Sequence, residues 1–222
     1  MFYITGDTHR DFTRVHNLPK GSTLIILGDV GINYFLNEED KELKEYLNSL
    51  DITFLCVQGN HEERPENIPT YKEKKIHGGK AFIEDDYPNL IFLKNGEIYT
   101  INNKKVLVIG GAYSIDKNIR LLYGWHWFKD EQLSKSEMDM ILEKYQGTHV
   151  DVILSHTSPK KYEPVEVFLS GIDQSKVDKT MEEFLDIVEK TVKYDKWYCG
   201  HYHTEKIVDK IEFMFENIKE FK

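Results

Sequence analysis

The chain has 222 residues, 40% hydrophobic and 30% charged, enough for one large domain with a sizeable core over residues 1–222. Its formal net charge of −9, with no run of Lys or Arg longer than two, argues against broad electrostatic attraction to DNA or RNA, so nucleic acid is expected only as a substrate. No apolar stretch reaches about 18 residues and no charged leader precedes an apolar run, so neither a membrane span nor a secretion signal is expected. The two cysteines, Cys56 and Cys199, lie in apolar runs and read as buried free thiols, as suits a reducing cytoplasm.

In the first third, Phe2-Tyr3-Ile4, Leu24 to Leu27 and Ile52 to Val57 read as buried strands. Between the second and third lies a predicted helix. Asn37 caps it, Glu38, Glu39 and Asp40 suit its first turn, and Leu43, Leu47 and Leu50 line one face. This alternation predicts parallel pairing. The middle third offers strands at Lys80 to Glu84, Leu90 to Leu93, Glu97 to Ile101 and Val106 to Ile109. Asn95-Gly96 is a strong hairpin signal and Asn102-Asn103 a weaker one, so a second, more antiparallel sheet is expected here. A polar, aromatic loop follows from Gly110 to Asp130. Ser134 and Glu137 form a capping box for a helix with Met138, Ile141, Leu142 and Tyr145 on its buried face, ended by Gly147. Val150 to Leu154 is a buried strand. A long helix is expected from about Lys176, with Val177, Met181, Phe184, Leu185, Val188 and Val192 in register. Trp197 to Cys199 is a strand, and Lys206 to Phe215 a closing hairpin around Asp209-Lys210. The elements together predict two packed sheets flanked by helices.

Five polar clusters punctuate this pattern: Gly6-Asp7-Thr8-His9, Gly28-Asp29, Gly59-Asn60-His61-Glu62, Ser155-His156 and Gly200-His201-Tyr202-His203. Each follows an apolar run, and in open α/β sheets ligands sit beyond the carboxyl ends of strands. Asp-x-His and His-x-His each present two ligands on one side by strand alternation, which also turns Tyr202 away. Glycine allows the tight turn and close backbone approach such a site needs. Carboxylate oxygen and neutral imidazole nitrogen suit a hard or borderline divalent ion, and Asp29 can bridge two of them. Each piece alone is weak. Their joint occurrence in this order predicts a site for two divalent ions, Mn favoured, with Fe, Zn, Ni or Co as alternatives. Two ions about 3.5–4 Å apart share a water and lower its pKa toward ~7, which points to phosphate-ester hydrolysis.

The five blocks resemble the signature of the calcineurin-like metallophosphoesterase superfamily. In the family's order these are Asp-x-His, Gly-Asp, Gly-Asn-His-(Asp/Glu), His and Gly-His-x-His, and they span Asp7 to His203. The chain is also similar to a subgroup of small bacterial and phage phosphoesterases through Gly110-Gly111-Ala112, Ser114-x-Asp116 with Arg120, and Trp125-x-Trp127. The resemblance implies a four-layer αββα sandwich of two mixed β-sheets flanked by helices. It implies that Asp7, His9 and His203 hold one metal and that Asn60, His156 and His201 hold the other, with Asp29 between them. It implies attack on phosphorus by a hydroxide shared by the ions, with His61 contacting the phosphate and protonating the leaving group. Glu62 would orient His61. Two departures narrow the reading. Arg10 stands where the family often has glycine. The stretch after Asp29, Val30-Gly31-Ile32-Asn33, lacks the Val-Asp-Arg-Gly of protein serine/threonine phosphatases.

Arginine's planar fork suits phosphate recognition, so Arg10 and Arg120, and less so Arg64, are candidate substrate contacts together with Asn60. Trp125, His126 and Trp127 either wall the pocket or anchor the loop. His16, His77, His126 and His149 read as structural or exposed. The expected activity is hydrolysis of a phosphodiester or a small phosphomonoester. A nuclease of the same superfamily, which would need a basic groove, and a non-catalytic scaffold, which would be expected to lose ligands, are the alternatives.

Overall fold

The computed structural model describes residues 1–222. Its first third follows the alternation. β1 (Phe2–Thr5), β2 (Ser22–Ile26) and, beyond α1 (Glu38–Ser49), β3 (Ile52–Cys56) pair side by side and parallel. Helix α1 begins where predicted, with the Asn37 side chain accepting from the Glu39 N–H at 2.9 Å. Leu47 is buried, and Leu43 and Leu50 pack beside it. The same helix also buries Asp40 and Lys44, which a hydrophobic pattern cannot announce. Lys44 Nζ sits 2.6 Å from Glu84 Oε2, and both side chains are about nine-tenths buried. Breaking such a pair leaves an uncompensated buried charge. Lys44→Met is therefore expected to cost about 3–5 kcal/mol, read as a lower urea midpoint; an unchanged midpoint would show that Glu84 is content without it.

The middle third departs from expectation. It holds β4 (Tyr71–Ile76), β5 (Gly79–Glu84), β6 (Leu90–Leu93), β7 (Ile98–Ile101) and β8 (Lys104–Ile109). These do not form a sheet of their own. β6 joins β3 in parallel, β5 and β4 extend that first sheet antiparallel, and β7 and β8 begin the second sheet. Asn95-Gly96 is accordingly no hairpin turn. It carries the chain from one sheet to the other, whereas Asn102-Asn103, both at positive φ, closes the β7–β8 hairpin. β4 reads as polar because it is a lysine-rich edge strand, a composition that discourages edge pairing.

In the last third, α2 (Lys117–Tyr123) occupies the segment expected to be a loop. Its apolar residues Ile119, Leu121, Leu122 and Tyr123 face solvent and its one buried residue is Arg120, so no buried stripe marks it. α3 (Lys135–Tyr145) carries the expected capping box. After β9 (His149–Ser155), α4 (Thr180–Thr191) starts later than predicted. Gln174–Lys176 is a single 3₁₀ turn, and Asp178 turns the chain into the helix by accepting from the Thr180 N–H at 2.9 Å. β10 (Lys193–Cys199) is followed by the predicted hairpin of β11 (Lys206–Val208) and β12 (Ile211–Phe213). The sequence reading missed the short β13 (Lys219–Glu220), which pairs with β1.

The first sheet runs β13-β1-β2-β3-β6-β5-β4 and the second β11-β12-β10-β9-β8-β7. Ile25, Leu55, Val106, Val108 and Leu154 belong to the core between the two sheets. Leu47 of α1 covers the outer face of the first sheet, and Met138, Met181, Leu185 and Val188 of α3 and α4 that of the second. The result is the expected four-layer αββα sandwich. In each sheet the central strands are parallel, so the carboxyl ends of β1, β2 and β3 lie at one edge, and those of β9 and β10 at one edge of the other. No helix is long and apolar enough to cross a membrane. Cys56 and Cys199 are buried free thiols.

Candidate metal centre

The polar clusters leave these strand ends and meet. Asp7, His9 and His203 present ligand atoms to one another, as do Asp7, Asp29 and His156, and His9, Asp29 and His61. Strand alternation does not place them, because β1 ends at Thr5 and β10 at Cys199. Left-handed turns do: His9 (φ 43°), Asp29 (φ 49°), His201 (φ 69°) and His203 (φ 48°) all adopt positive φ. Such conformations are costly for non-glycine residues and concentrate where surrounding structure holds a functional site in place. Two glycines make room. Gly28 has φ 96°, and a Cβ there would overlap the His156 ring, while a Cβ at Gly59 would overlap the Asp29 carboxylate.

The ligand atoms crowd one another at hydrogen-bond distance. His9 Nε2 and His203 Nε2 stand 2.9 Å apart. Burial and then His9 push His203 down to about 4, and burial lowers His9 too, so at neutral pH both rings are uncharged and each keeps one nitrogen free of hydrogen. His156 Nδ1 lies 2.7 Å from the Leu27 carbonyl, which fixes that nitrogen as the donor and leaves Nε2 aimed at Asn60 Oδ1 at 2.8 Å. The Asn60 amide is oriented in turn: its Nδ2 donates to Ser114 Oγ at 2.9 Å, and Ser114 Oγ donates to Glu131 at 2.5 Å. Asp7 accepts from the His201 N–H at 2.9 Å, and Asp29 Oδ1 from the N–H groups of Asn60 and His61 at 2.8 and 2.9 Å. The His201 ring lies 5.0 Å from that of His156, and burial holds its pKa well down. This donor set of carboxylate, amide and imidazole groups fits divalent cations.

The charge balance points the same way. Burial pushes Asp7 up to about 7 against the pull of His156. Burial opposes ionisation of Asp29 and His156 alike, yet the imidazoles hold Asp29 well below the usual carboxylate range, and Asp29 and Asp7 carry His156 up to about 9. A cation among these groups would replace the shared proton.

The sequence matches the Metallophos family, described as calcineurin-like phosphoesterase, over residues 1–205. The chain belongs to the calcineurin-like phosphoesterases. Within this family of metal-dependent phosphoesterases it is 26% identical, over 191 residues, to a protein named as a probable glycerophosphodiester phosphodiesterase, GpdQ, of Arcobacter nitrofigilis. That match covers 85% of this chain and spans only 59% of the relative's length. Among solved structures it is similar to the phosphopantetheinyl hydrolase PptH of Mycobacterium tuberculosis, with 13% identity, a TM-score of 0.48 and coverage of 96% of this chain and 87% of that one.

The remaining candidates separate. Arg120 is buried and reaches the cluster: Nε meets Asp116 at 2.8 Å, Nη1 the His126 carbonyl at 3.0 Å, and Nη2 both ring nitrogens of His61, 2.7 Å from Nε2. Burial lowers the His61 pKa, and Arg120 adds to this against the pull of Asp29. Arg10 is engaged elsewhere, on Gly31 O at 2.6 Å, on Asp40 and on Glu39 O, with its guanidinium over the Phe35 ring. Arg64 is buried against Glu137, Asp130 and Gln132. Glu62 does not touch His61; fully buried, it accepts from Gly59 N at 2.9 Å and Gly31 N at 3.2 Å, and burial pushes it up to about 8. Trp125 is exposed and stacks on Tyr123, and Trp127 lies under Lys117. Tyr202 belongs to none of the ligand groups; its hydroxyl meets Thr157 and Glu163, and the ring, stacked on Phe168, lines a cavity of about 460 Å³ beside the cluster.

The sequence reading missed Glu131, Asp178 and Glu182, along with Val167, Phe168 and Leu169. The acids belong to no motif, and the apolar trio lies in and just after a single 3₁₀ turn, Val165–Val167, too short for periodicity to mark a face.

Proposed function

We propose that the chain is a metal-dependent phosphoesterase that hydrolyses a phosphodiester or a small phosphomonoester, and that His61 assists the leaving group. The observation that carries this reading is the convergence of Asp7, His9, Asp29, Asn60, His156, His201 and His203 with His61 held beside them by Arg120. Two bound divalent ions, Mn favoured, would supply the Lewis acidity that polarises a phosphoryl oxygen and activates water. Asp7, His9 and His203 would hold the first ion, Asn60, His156 and His201 the second, and Asp29 both. His61 would contact the phosphate. A phosphate beside it favours the protonated imidazole, which can then give its proton to the departing oxygen. Arg120 would place the His61 ring and, once both its nitrogens carry hydrogen, turn its own N–H toward the phosphate oxygens. Arg10 and Arg64 are spent on structural partners and are left out of the phosphate contacts.

The discriminating test is to strip the protein, reload it with Mn, Fe, Zn, Ni or Co, and assay phosphomonoesters, phosphodiesters, nucleotides and single-stranded nucleic acid. Turnover of small esters supports the proposal, and no turnover with any metal favours a scaffold. Binding has its own readout. A divalent ion at a hundred times its Kd should stabilise the stripped protein by about 2.7 kcal/mol, seen as a rise in Tm. A flat melting curve across all five metals would contradict the ligand set. Ser114→Ala should release the Asn60 amide and weaken metal binding by roughly 10–100-fold, the usual effect of losing a group that orients a ligand. Competition with a chromogenic chelator measures it; unchanged affinity would show that the Glu131–Ser114–Asn60 chain is only structural.

A further inference from the structure

The cavity of about 460 Å³ beside the cluster carries an inference about the alcohol part of the substrate, one that rests on reading the site as a phosphoesterase. Its walls are apolar. Ile115, just before α2, Ile119 within it, and Val167 and Leu169 line it while 39–63% exposed, together with Phe168 and Val177. Apolar side chains left in water beside a reactive centre are a ready surface for a ligand's hydrocarbon.

Acids outnumber cations on its lining. Four carboxylates, Asp29, Asp116, Asp178 and Glu182, line it with a single lysine, Lys179, whose Nζ is held 2.5 Å from Glu163 Oε1. Neither Arg10 nor Arg64 lines it. A second phosphate would meet acids and no free cation, which speaks against nucleotides and polynucleotides.

One side chain lining this cavity has an oxygen without a partner. Glu182 is 97% buried; its Oε1 accepts from Thr157 Oγ1 at 2.8 Å, and its Oε2 is buried with no hydrogen bond. An unsatisfied buried carboxylate oxygen is costly and gains from any donor that reaches it. Thr157 in turn meets Tyr202, so the carboxylate is fixed in place.

We infer that the cavity is a leaving-group pocket for a phosphate ester whose alcohol has an aliphatic or aromatic body bearing a hydroxyl or ammonium donor for Glu182 Oε2. Hydrolysis would break the phosphorus–oxygen bond to that alcohol. Water would supply the oxygen that stays on phosphorus, and the alcohol would leave with a proton.

Three para-substituted phenyl phosphates test this, carrying aminomethyl, hydroxymethyl or ethyl groups of nearly equal size. The metal-loaded enzyme should show kcat/KM at least about tenfold higher for the two donor-bearing esters than for the ethyl ester. Glu182→Gln keeps an acceptor for Thr157 but places an NH2 where Oε2 stood, so that preference should fall to about one. Equal rates on the three esters with wild type, or a preference that survives in Glu182→Gln, would overturn the inference while leaving the phosphoesterase reading intact. If no ester is hydrolysed, that reading fails instead, and the pocket is then read by NMR titration of the stripped wild-type protein with 4-(aminomethyl)phenol and 4-ethylphenol. The amine should bind at least about tenfold tighter. Equal affinity, or no binding of either at millimolar concentration, would overturn the pocket.

Discussion

Asp29→Asn should abolish the paired metal site and lower kcat by on the order of 10³-fold or more. The amide keeps an oxygen for the Asn60 and His61 N–H groups, so the turn after β2 should survive. What it loses is charge. Asp29 is buried, stands 3.7 Å from His9 Nε2 and 3.4 Å from His156 Nε2, and is held ionised by the surrounding imidazoles despite burial. Removing that charge leaves Asp7 as the one carboxylate among the proposed ligands, and removing even one preorganised donor in such sites costs roughly 10²–10³ in rate. Metal analysis of the purified variant should find fewer than two ions per chain. Two ions retained at wild-type affinity would mean that Asp29 lies beside the centre rather than within it.

His61→Ala should behave in the opposite manner. Metal content should stay at the wild-type level, because no ligand proposed for either ion is removed, while kcat falls by roughly 10²–10⁴. The loss should shrink for esters whose leaving alcohol is already acidic, since such a group needs no proton. Comparing an alkyl with a nitrophenyl ester reads this directly. A uniform loss on both would reduce His61 to a phosphate contact, and unchanged turnover would remove it from the mechanism. Arg120→Ala should produce a milder version of the same defect: the guanidinium pinned by Asp116 and the His126 carbonyl is what holds His61.

Much of this centre was legible in the chain because its residues come as short blocks after apolar runs. Those runs became parallel neighbours, β1, β2 and β3 in one sheet and β9 and β10 in the other, and the blocks met at their ends. The argument by strand alternation was nevertheless the wrong cause. His9, Asp29, His201 and His203 are aimed by positive φ in turns beyond the strands, and no periodicity encodes that. Arg10 looked equivalent to Arg120 on grounds of proximity to a motif. Their difference arises from α1, whose Asp40 takes Arg10, and from α2, whose single buried residue is Arg120.

The sequence by itself determined the class of chemistry and the layered architecture. Ligand type is a local property of side chains, and hydrophobic period is a local property of strands and helices. Tertiary structure alone decided which sheet the middle strands joined, because β6 is apolar enough for either and register with β3 settled it. It alone revealed the Glu131–Ser114–Asn60 chain and the cavity with Glu182, since these bring together residues 17 to 54 positions apart in two of the hydrogen bonds and 25 in the third. A carboxylate's partner, or its lack of one, is a fact of position in space, and spacing along the chain carries no record of it.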